Sequence, residues 1–475
     1  MENKYSFIII LVLSFFLSNC QINPATGEKE LSLISTKEED DIGETEHKKI
    51  IKQFGIYENR KLQNYVNSLG EFLVSTSELS NKTFTFTILD SPIVNAFALP
   101  GGYIYLTRGL LALCDNEAQL AGVISHEIGH ITARHAARRY TKSVGTNLIL
   151  NVLGTLTNNQ VTKNLMGQGA GLFLLSYSRS QEYEADKLAL RYMNRAGFEP
   201  FQMANFLQLM ENYSKIKSKI LKIKNTGSEL LRTHPNSSKR VNEVIVEANN
   251  VSQINPIIGR DIYLKKIDGL LFGHNQDEGF FLKDRFVHPK LQITFPLIND
   301  FYFVNTPKKI IGINDNKSKI IYDIDESSNV ELKKYVVSWA KKLRVKLGEL
   351  EARTVNNFEF LTGEATINSD QIILVVARDS ESNYIHRFIL ISKKSDYKIT
   401  KIKFIELTRS LRKIDDNEFS PPRIKVITAN SDENFIKKTI NSMNIQKKEA
   451  KLVFEILNKN LDLDNSSGKK IKIVY

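Results

Sequence analysis

The sequence predicts an α+β protein: a mainly α-helical domain with a small β-sheet, followed by a β-rich α/β domain and a small βααβ unit. Three observations predict it. Apolar residues recur at helical spacing through most of the chain up to about Asn250, alternating apolar stretches dominate after it, and Arg423–Tyr475 sets two strand patterns around two helical ones. The 475 residues suit two or three domains. A hydrophobic content of 42% with 25% charged residues, 11 Pro and 24 Gly excludes a collagen-like or wholly disordered chain. The net charge of +12 comes from Lys spread along the chain, with no basic stripe interleaved with aromatics, so no nucleic-acid partner is expected.

Met1–Asn19 combines a short polar start containing Lys4 with an apolar run from Phe7 to Leu17, about half the length of a bilayer span. This is the pattern of a signal peptide, and residues 1–19 are read as one. Leu17-Ser18-Asn19-Cys20 resembles a bacterial lipobox, with Asn19 where Gly, Ala or Ser is usual. Cys20 is therefore the expected lipidation site, anchoring the protein in the periplasm. Gln21, in place of Asp, favours the outer membrane over the inner. The other cysteine, Cys114, reads as a small buried hydrophobe.

Residues 20–35 read as a tether, and Thr36-Lys37-Glu38-Glu39 opens a helical stretch that continues to about Leu79. Thr83–Leu89, Ile93–Leu99 and Tyr103–Thr107 read as strands, with Pro100-Gly101-Gly102 turning between the last two. A long helix is expected from Asp115 or Asn116 through Arg139, and another from Ser180 to Ala196, stopped by Gly197. Between them Thr141–Ser180 is apolar but broken by glycines, a pattern equally suited to a flexible flap and to core packing. Leu291–Phe295, Phe301–Asn305, Phe358–Ile367, Gln371–Ala377 and Tyr384–Ser392 read as strands, and Glu331–Leu347 as a helix. The domain reading is 36–250, 257–413 and 423–475, the last made of a strand at Arg423–Thr428, helices at Glu433–Met443 and Glu449–Asn458, and a strand at Lys470–Val474.

The strongest chemical signal is His126-Glu127-Ile128-Gly129-His130. Residues four apart on a helix lie one above the other, so two imidazoles can face one metal from adjacent turns. With Zn²⁺ between them, Glu127 can take a proton from attacking water that the metal has acidified to a pKa of roughly 7. From the composition, the pattern is expected by chance only on the order of 0.01 times. A catalytic zinc needs a third protein ligand. The ten-residue His spacing of one alternative family fails, because Ala136 stands at that position and His135 is one short. Glu182 in Glu182-Tyr183-Glu184-Ala185-Asp186 supplies a carboxylate in helical context. Asp186, on the same face, is expected to accept an N–H from a ligand His, while Glu184 points elsewhere.

The succession of Asn95–Gly102, His126–His130, Ser178–Asp186 and Thr233-His234-Pro235 resembles the gluzincin metallopeptidases of the HtpX/BepA type, and Asn23–Gly27 with Leu31–Ser35 resembles their periplasmic lipoprotein branch. The resemblance spans about Asn23 to Asn250. It implies a zinc endopeptidase with one Zn²⁺ per chain, ligands at His126, His130 and Glu182, and Glu127 as general base. Its implied substrates are misfolded or stalled envelope proteins. With chemistry added, Asn95, Ala96, Phe97 and Ala98 become an edge strand to which an extended substrate adds. His234 becomes an oxyanion stabiliser or a cap on the open ligand position, and Arg240 a second oxyanion contact. Further along, Phe286-Val287-His288-Pro289 resembles PsbP-like α/β domains. Val426, Phe435, Leu457-Asn458 and Gly468–Val474 resemble LysM modules, with Ser431-Asp432 replacing their Gly-Asp turn, which makes peptidoglycan a further partner to test. The rival reading is a non-proteolytic periplasmic chaperone or assembly adaptor that binds outer-membrane proteins or peptidoglycan.

Overall fold

The computed structural model describes residues 20–142, 176–221, 229–235, 238–251, 254–306, 308–326, 330–379, 383–415, 418–430, 432, 434–459, 461 and 467–475. The signal peptide 1–19, most of the glycine-broken segment between Thr141 and Ser180, and Ser431 lie outside the described residues. The chain divides into two compact units: Met1–Leu270 with Val426–Thr428 and Ile456–Lys472, and Leu271–Lys425 with Ala429–Glu455 and Ile473–Tyr475. Among the described residues, no helix is long and apolar enough to cross a membrane.

The first unit opens with strands β1 (Cys20–Ile22) and β2 (Lys29–Leu31), paired antiparallel. Helix α1 (Thr36–Phe54) begins at Ser35, whose hydroxyl accepts from the Glu38 amide while Glu38 reaches back, a capping box one residue ahead of the predicted one. After α2 (Arg60–Ser75) come β3 (Thr85–Leu89), β4 (Ala96–Leu99) and β5 (Tyr103–Thr107). The sheet order is β3-β5-β4, with β3 and β5 parallel and β4 antiparallel at the edge. Strand β4 starts three residues later than predicted because the Thr107 hydroxyl holds the preceding segment in a turn: it accepts from the Asn95 amide at 3.0 Å and donates to the Ile93 carbonyl at 2.5 Å. Gly101, at φ 84°, makes the predicted turn into β5.

Helices α3 (Arg108–Leu113), α4 (Glu117–Thr132), α5 (Arg179–Arg195), α6 (Phe201–Leu221), α7 (Glu229–Thr233), α8 (Ser238–Asn250) and α9 (Arg260–Ile267) complete this unit. Asn116 caps α4 by accepting from the Gln119 amide at 2.9 Å, and Ser178 caps α5 in a capping box with Gln181. The sequence predicted α4 to run through Arg139. It stops at Thr132, because Arg134 adopts a left-handed φ of 52° and residues 135–142 restart as a separate helical stretch. Almost every residue of α4 is buried, as expected of a helix packed on all sides by α2, α5, α6 and β4. A Cβ on Gly129 would come within 3.1 Å of the Ala185 carbonyl and 3.2 Å of Leu188 Cβ, so glycine sets the close approach of α4 to α5.

In the second unit, β6 (Phe280–Phe281), β7 (Arg285–His288), β8 (Ile293–Pro296), β9 (Phe301–Thr306), β10 (Lys309–Asn314) and β11 (Lys319–Glu326) precede α10 (Leu332–Lys342). There follow β12 (Leu350–Val355), β13 (Phe358–Ile367), β14 (Asp370–Asp379), β15 (Tyr384–Lys393), α11 (Tyr397–Arg409) and β16 (Arg412–Lys413). A seven-stranded antiparallel sheet has the order β12-β13-β14-β15-β11-β10-β9, and a smaller one the order β16-β8-β7-β6. Strand β14, inside the larger sheet, is buried on both faces: Leu374 and Val376 pack with Val336 and Trp339 of α10, and Ile373 and Val375 with Phe404 and Leu407 of α11. The predicted helix at Glu331–Leu347 is shorter, because Arg344 turns to φ 59° and ends it. The chain closes with β17 (Ile424–Thr428), α12 (Phe435–Ser442), α13 (Lys447–Leu457) and β18 (Lys470–Val474), in which β17 and β18 pair.

Candidate metal centre

Helices α4 and α5 and the turn after α7 deliver four donors to one point. Atoms of His126, His130, Glu182 and His234 lie within 4.8 Å of one another, and all four residues are buried. His126 Nε2 is 3.0 Å from His130 Nε2 and 3.2 Å from His234 Nδ1. Glu182 Oε1 is 3.1 Å from His234 Nδ1 and 3.6 Å from His130 Nε2. Nitrogen and carboxylate donors converging at such separations, with no apolar atom needed between them, suit a small divalent cation.

Each ligand-type imidazole is turned by a partner on its far side. His126 Nδ1 faces Asp186 Oδ1 at 2.9 Å, which leaves Nε2 free to face the cluster. The His130 ring is oriented differently: its Nδ1 is 2.7 Å from His135 Nδ1, and His135 Nε2 is 3.1 Å from Glu184 Oε2. Because the carboxylate only accepts, His135 donates through Nε2 and accepts at Nδ1 from His130, and His130 likewise presents an Nε2 lone pair. Arg138 Nη1 holds Glu184 at 2.8 Å. The break at Arg134 makes this chain possible by swinging His135 back under His130.

Glu127 is 0% exposed, and neither carboxylate oxygen has a hydrogen-bond partner; its Oε1 lies 3.5 Å from His234 Nε2. Burial raises its pKa, with His234 and His126 acting the other way. Burial would raise Glu182 too, but His234 and Arg240 hold it well below the carboxylate range. Burial lowers His130 well below the ordinary imidazole value, whereas at His126 burial is overcome by the hydrogen bonds it donates to Asp186 and Glu182, which lift it to about 9.

Arg240, on α8, is buried among these carboxylates. Its Nη1 is 2.6 Å from Glu182 Oε2, its Nε 2.5 Å from Asp186 Oδ2 and its Nη2 2.7 Å from Asp186 Oδ1. It thus fixes both acidic residues at once by bidentate pairing. His234 is held from its backbone: its amide donates to Leu230 O at 2.7 Å, and the preceding Thr233 carbonyl accepts from the Tyr177 amide at 3.1 Å. Thr233 Oγ1 also donates to Asn95 Oδ1 at 3.5 Å.

The structure therefore brings His126, Glu127, His130, Glu182, Asp186, His234 and Arg240 into one buried cluster. Asn95 lies just before β4, beside Thr233; Ala96, Phe97 and Ala98 form the buried edge strand, where Phe97 packs with Ile50, Leu89, Leu99 and Tyr105. Cys20 falls in β1 and Cys114 is buried, its thiol pushed up to about 12 by burial. Sequence reasoning missed Tyr177, whose ring stacks on His130 at 3.8 Å and carries Arg139 over it at 4.6 Å. Its only signal was its position next to Ser178. A cleft bordered by Ala98, Gly101, His130, Arg134 and Tyr177 reaches the cluster.

Residues 60–247 match Peptidase family M48, a segment that contains every residue of the cluster. The chain carries an M48 peptidase domain. It is 33% identical over 199 residues to a "Beta-barrel assembly-enhancing protease" of Yersinia pestis, covering 40% of each chain. Against the protein of that name from Escherichia coli (strain K12) it is 28% identical over 265 residues, covering 53% of this chain and 52% of the other. The "Mitochondrial metalloendopeptidase OMA1" of Schizosaccharomyces pombe is 26% identical over 238 residues, 48% of this chain and 67% of that one. The chain thus spans about half the length of the first curated relatives it matches. Among solved structures, cyanobacterial PsbP from Synechocystis sp. PCC 6803 matches 28% of this chain and 92% of that chain, with 14% identity and a TM-score of 0.24. In the M48 domain, the donors of the metal cluster come from α4, α5 and the turn after α7.

Proposed function

We propose that the chain is a zinc-dependent endopeptidase of the bacterial cell envelope, with misfolded or stalled envelope proteins as its substrates. The observation that carries this reading is the convergence of His126, His130, Glu182 and His234 on one point, next to a Glu127 carboxylate that no hydrogen bond restrains. The donor set fits zinc: two imidazole nitrogens and a carboxylate oxygen make three donors of borderline-soft character, and the His234 imidazole makes a fourth. Further support comes from relatives named as a protease and a metalloendopeptidase.

His126, His130 and Glu182 would hold the ion, with Asp186 and His135 fixing the imidazole tautomers and Arg240 fixing Glu182. The chemistry a zinc ion supplies when bound there is Lewis-acid polarisation of water and of a peptide carbonyl. Glu127, raised in pKa by burial, takes the proton of the attacking water and later delivers it to the leaving amine. His234 lies at donor distance from His126 and Glu182, which favours the cap of a resting site; withdrawn from it, the same imidazole could donate to the developing oxyanion. An extended substrate would add to β4, the antiparallel edge strand of the three-stranded sheet. Lipidation at Cys20 would tether the enzyme, on the outer membrane in preference to the inner, and the LysM-like segment 423–475 would add contact with peptidoglycan.

The test is zinc content and casein cleavage of the wild type beside Glu127→Gln and Glu182→Ala. Both variants should lose cleavage, the first with its zinc and the second without. Stoichiometric zinc with no cleavage in either the wild type or His234→Ala would replace this proposal with the chaperone reading, and a wild type that takes up no zinc would overturn it.

A further inference from the structure

The seven-stranded sheet of the second unit has two edges, and they are treated differently. At the β9 edge the side chain of Gln446 mimics a neighbouring peptide: its Oε1 accepts from the Phe303 amide at 3.0 Å and its Nε2 donates to the Phe303 carbonyl at 2.9 Å. Lys448 Nζ adds a hydrogen bond to the Asp300 carbonyl at 2.5 Å. Edge strands left bare invite pairing with other chains, and this carboxamide closes one.

The β12 edge has no such cover among the described residues. Strand β12 pairs with β13 alone, and its inner four residues, Glu351 to Thr354, are all exposed. Beside it, between β12 and the end of α10, opens a groove of about 810 Å³. Its apolar lining includes Val337, Ala340, Leu347 and Leu361, and Val337 is 53% exposed. The rim is basic: Lys333, Lys341, Arg344 and Lys346 line it, against Glu349 as the one acidic lining residue. Arg344 is placed there by its left-handed φ of 59°, which turns the chain out of α10 toward β12.

We infer that β12 and this groove form a docking site for an extended acidic peptide segment of another protein, which adds to the sheet as an eighth strand. Main-chain hydrogen bonds to β12 supply affinity, an apolar side chain enters the groove, and carboxylates meet Lys341, Arg344 and Lys346. The concave shape and the open backbone edge favour a peptide over a flat anionic membrane, which would use the cations but leave the strand idle.

The experiment uses the full chain carrying Glu127→Gln, so that the probe is not consumed, and a fluorescent peptide alternating Glu with Val, followed by anisotropy. Two further peptides of identical charge carry N-methyl groups on the odd or on the even residues. Strand addition engages the amides of one set only, so one N-methylated peptide should lose binding and the other keep it. Lys341→Glu with Arg344→Glu, both on exposed side chains and checked by circular dichroism, should weaken binding by about tenfold or more. If both N-methylated peptides bind like the parent, or the charge reversal leaves affinity unchanged, the docking site is overturned. Flotation of the chain with phosphatidylglycerol vesicles in the absence of peptide binding would assign the patch to a membrane and overturn it equally.

Discussion

Each unit buries histidines, and the two sets differ in what surrounds them. In the second unit His386 is 2% exposed, with Nδ1 3.0 Å from the Tyr322 hydroxyl and its ring against Tyr322 and Phe358; burial drives its pKa down to about 4, as it does that of His288. His386 is a neutral core histidine and His288 a neutral half-buried one. In the first unit, imidazoles of similar burial meet the charged side chains of Glu182, Asp186 and Arg240, which orient them. Burial alone therefore says little about a histidine's role. Converging carboxylates, each tied by a cation, distinguish a site that can hold a metal from a core that happens to contain nitrogen.

The largest effect that would sharpen this contrast is at Glu127. Glu127→Gln should lower casein cleavage by about 10²–10⁴-fold while zinc content stays at the wild-type level. Next comes the cation between the carboxylates. Arg240→Ala leaves Glu182 and Asp186 buried without their partner and should cost about 3–5 kcal/mol in urea unfolding of the metal-free chain. An unchanged midpoint would mean that the cluster is solvated and the comparison fails.

Lys472 is a third kind of buried charge. Its Nζ donates to three backbone carbonyls, those of Ala112, Leu113 and Cys114, and burial lowers its pKa to about 8. The unfolded chain keeps this proton up to the ordinary value of 10.5, so between pH 8 and 10.5 it binds more protons than the folded one. Stability should rise with pH across that window, by at most about 3 kcal/mol, and be flat below it. Unfolding measured at several pH values should lose that rise in Lys472→Met. The smallest effect is expected at the core histidine: His386→Phe should change stability by less than about 1.5 kcal/mol and zinc content not at all.

Much of the candidate site was legible because its parts are local. The four-residue spacing of His126 and His130 and that of Glu182 and Asp186 are helix repeats that any reader of periodicity can see. The His135–Glu184–Arg138 chain was not, because it depends on a left-handed Arg134, and nothing in Ala133-Arg134-His135 announces a break in an otherwise good helix pattern. Arg240 was picked out, but its pairing with Glu182 and Asp186 joins residues more than fifty positions apart and left no trace in either segment. Strands Phe358–Ile367 and Lys470–Val474 were read to the residue. Strands β10, β11 and β12 went unread, since Lys, Asn and Asp interleave with their apolar residues and blur the two-residue period.

Gly129 bears no donor, yet it governs the donors around it. Two imidazoles on one helix and a carboxylate on the next can share an ion only while the two backbones run close enough for a glutamate side chain to bridge them. The single hydrogen at Gly129 permits that spacing against Ala185 and Leu188. The dimension of the cage is thus held by a missing methyl group between the histidines, and a larger residue there would widen the aperture while leaving every ligand in the sequence untouched.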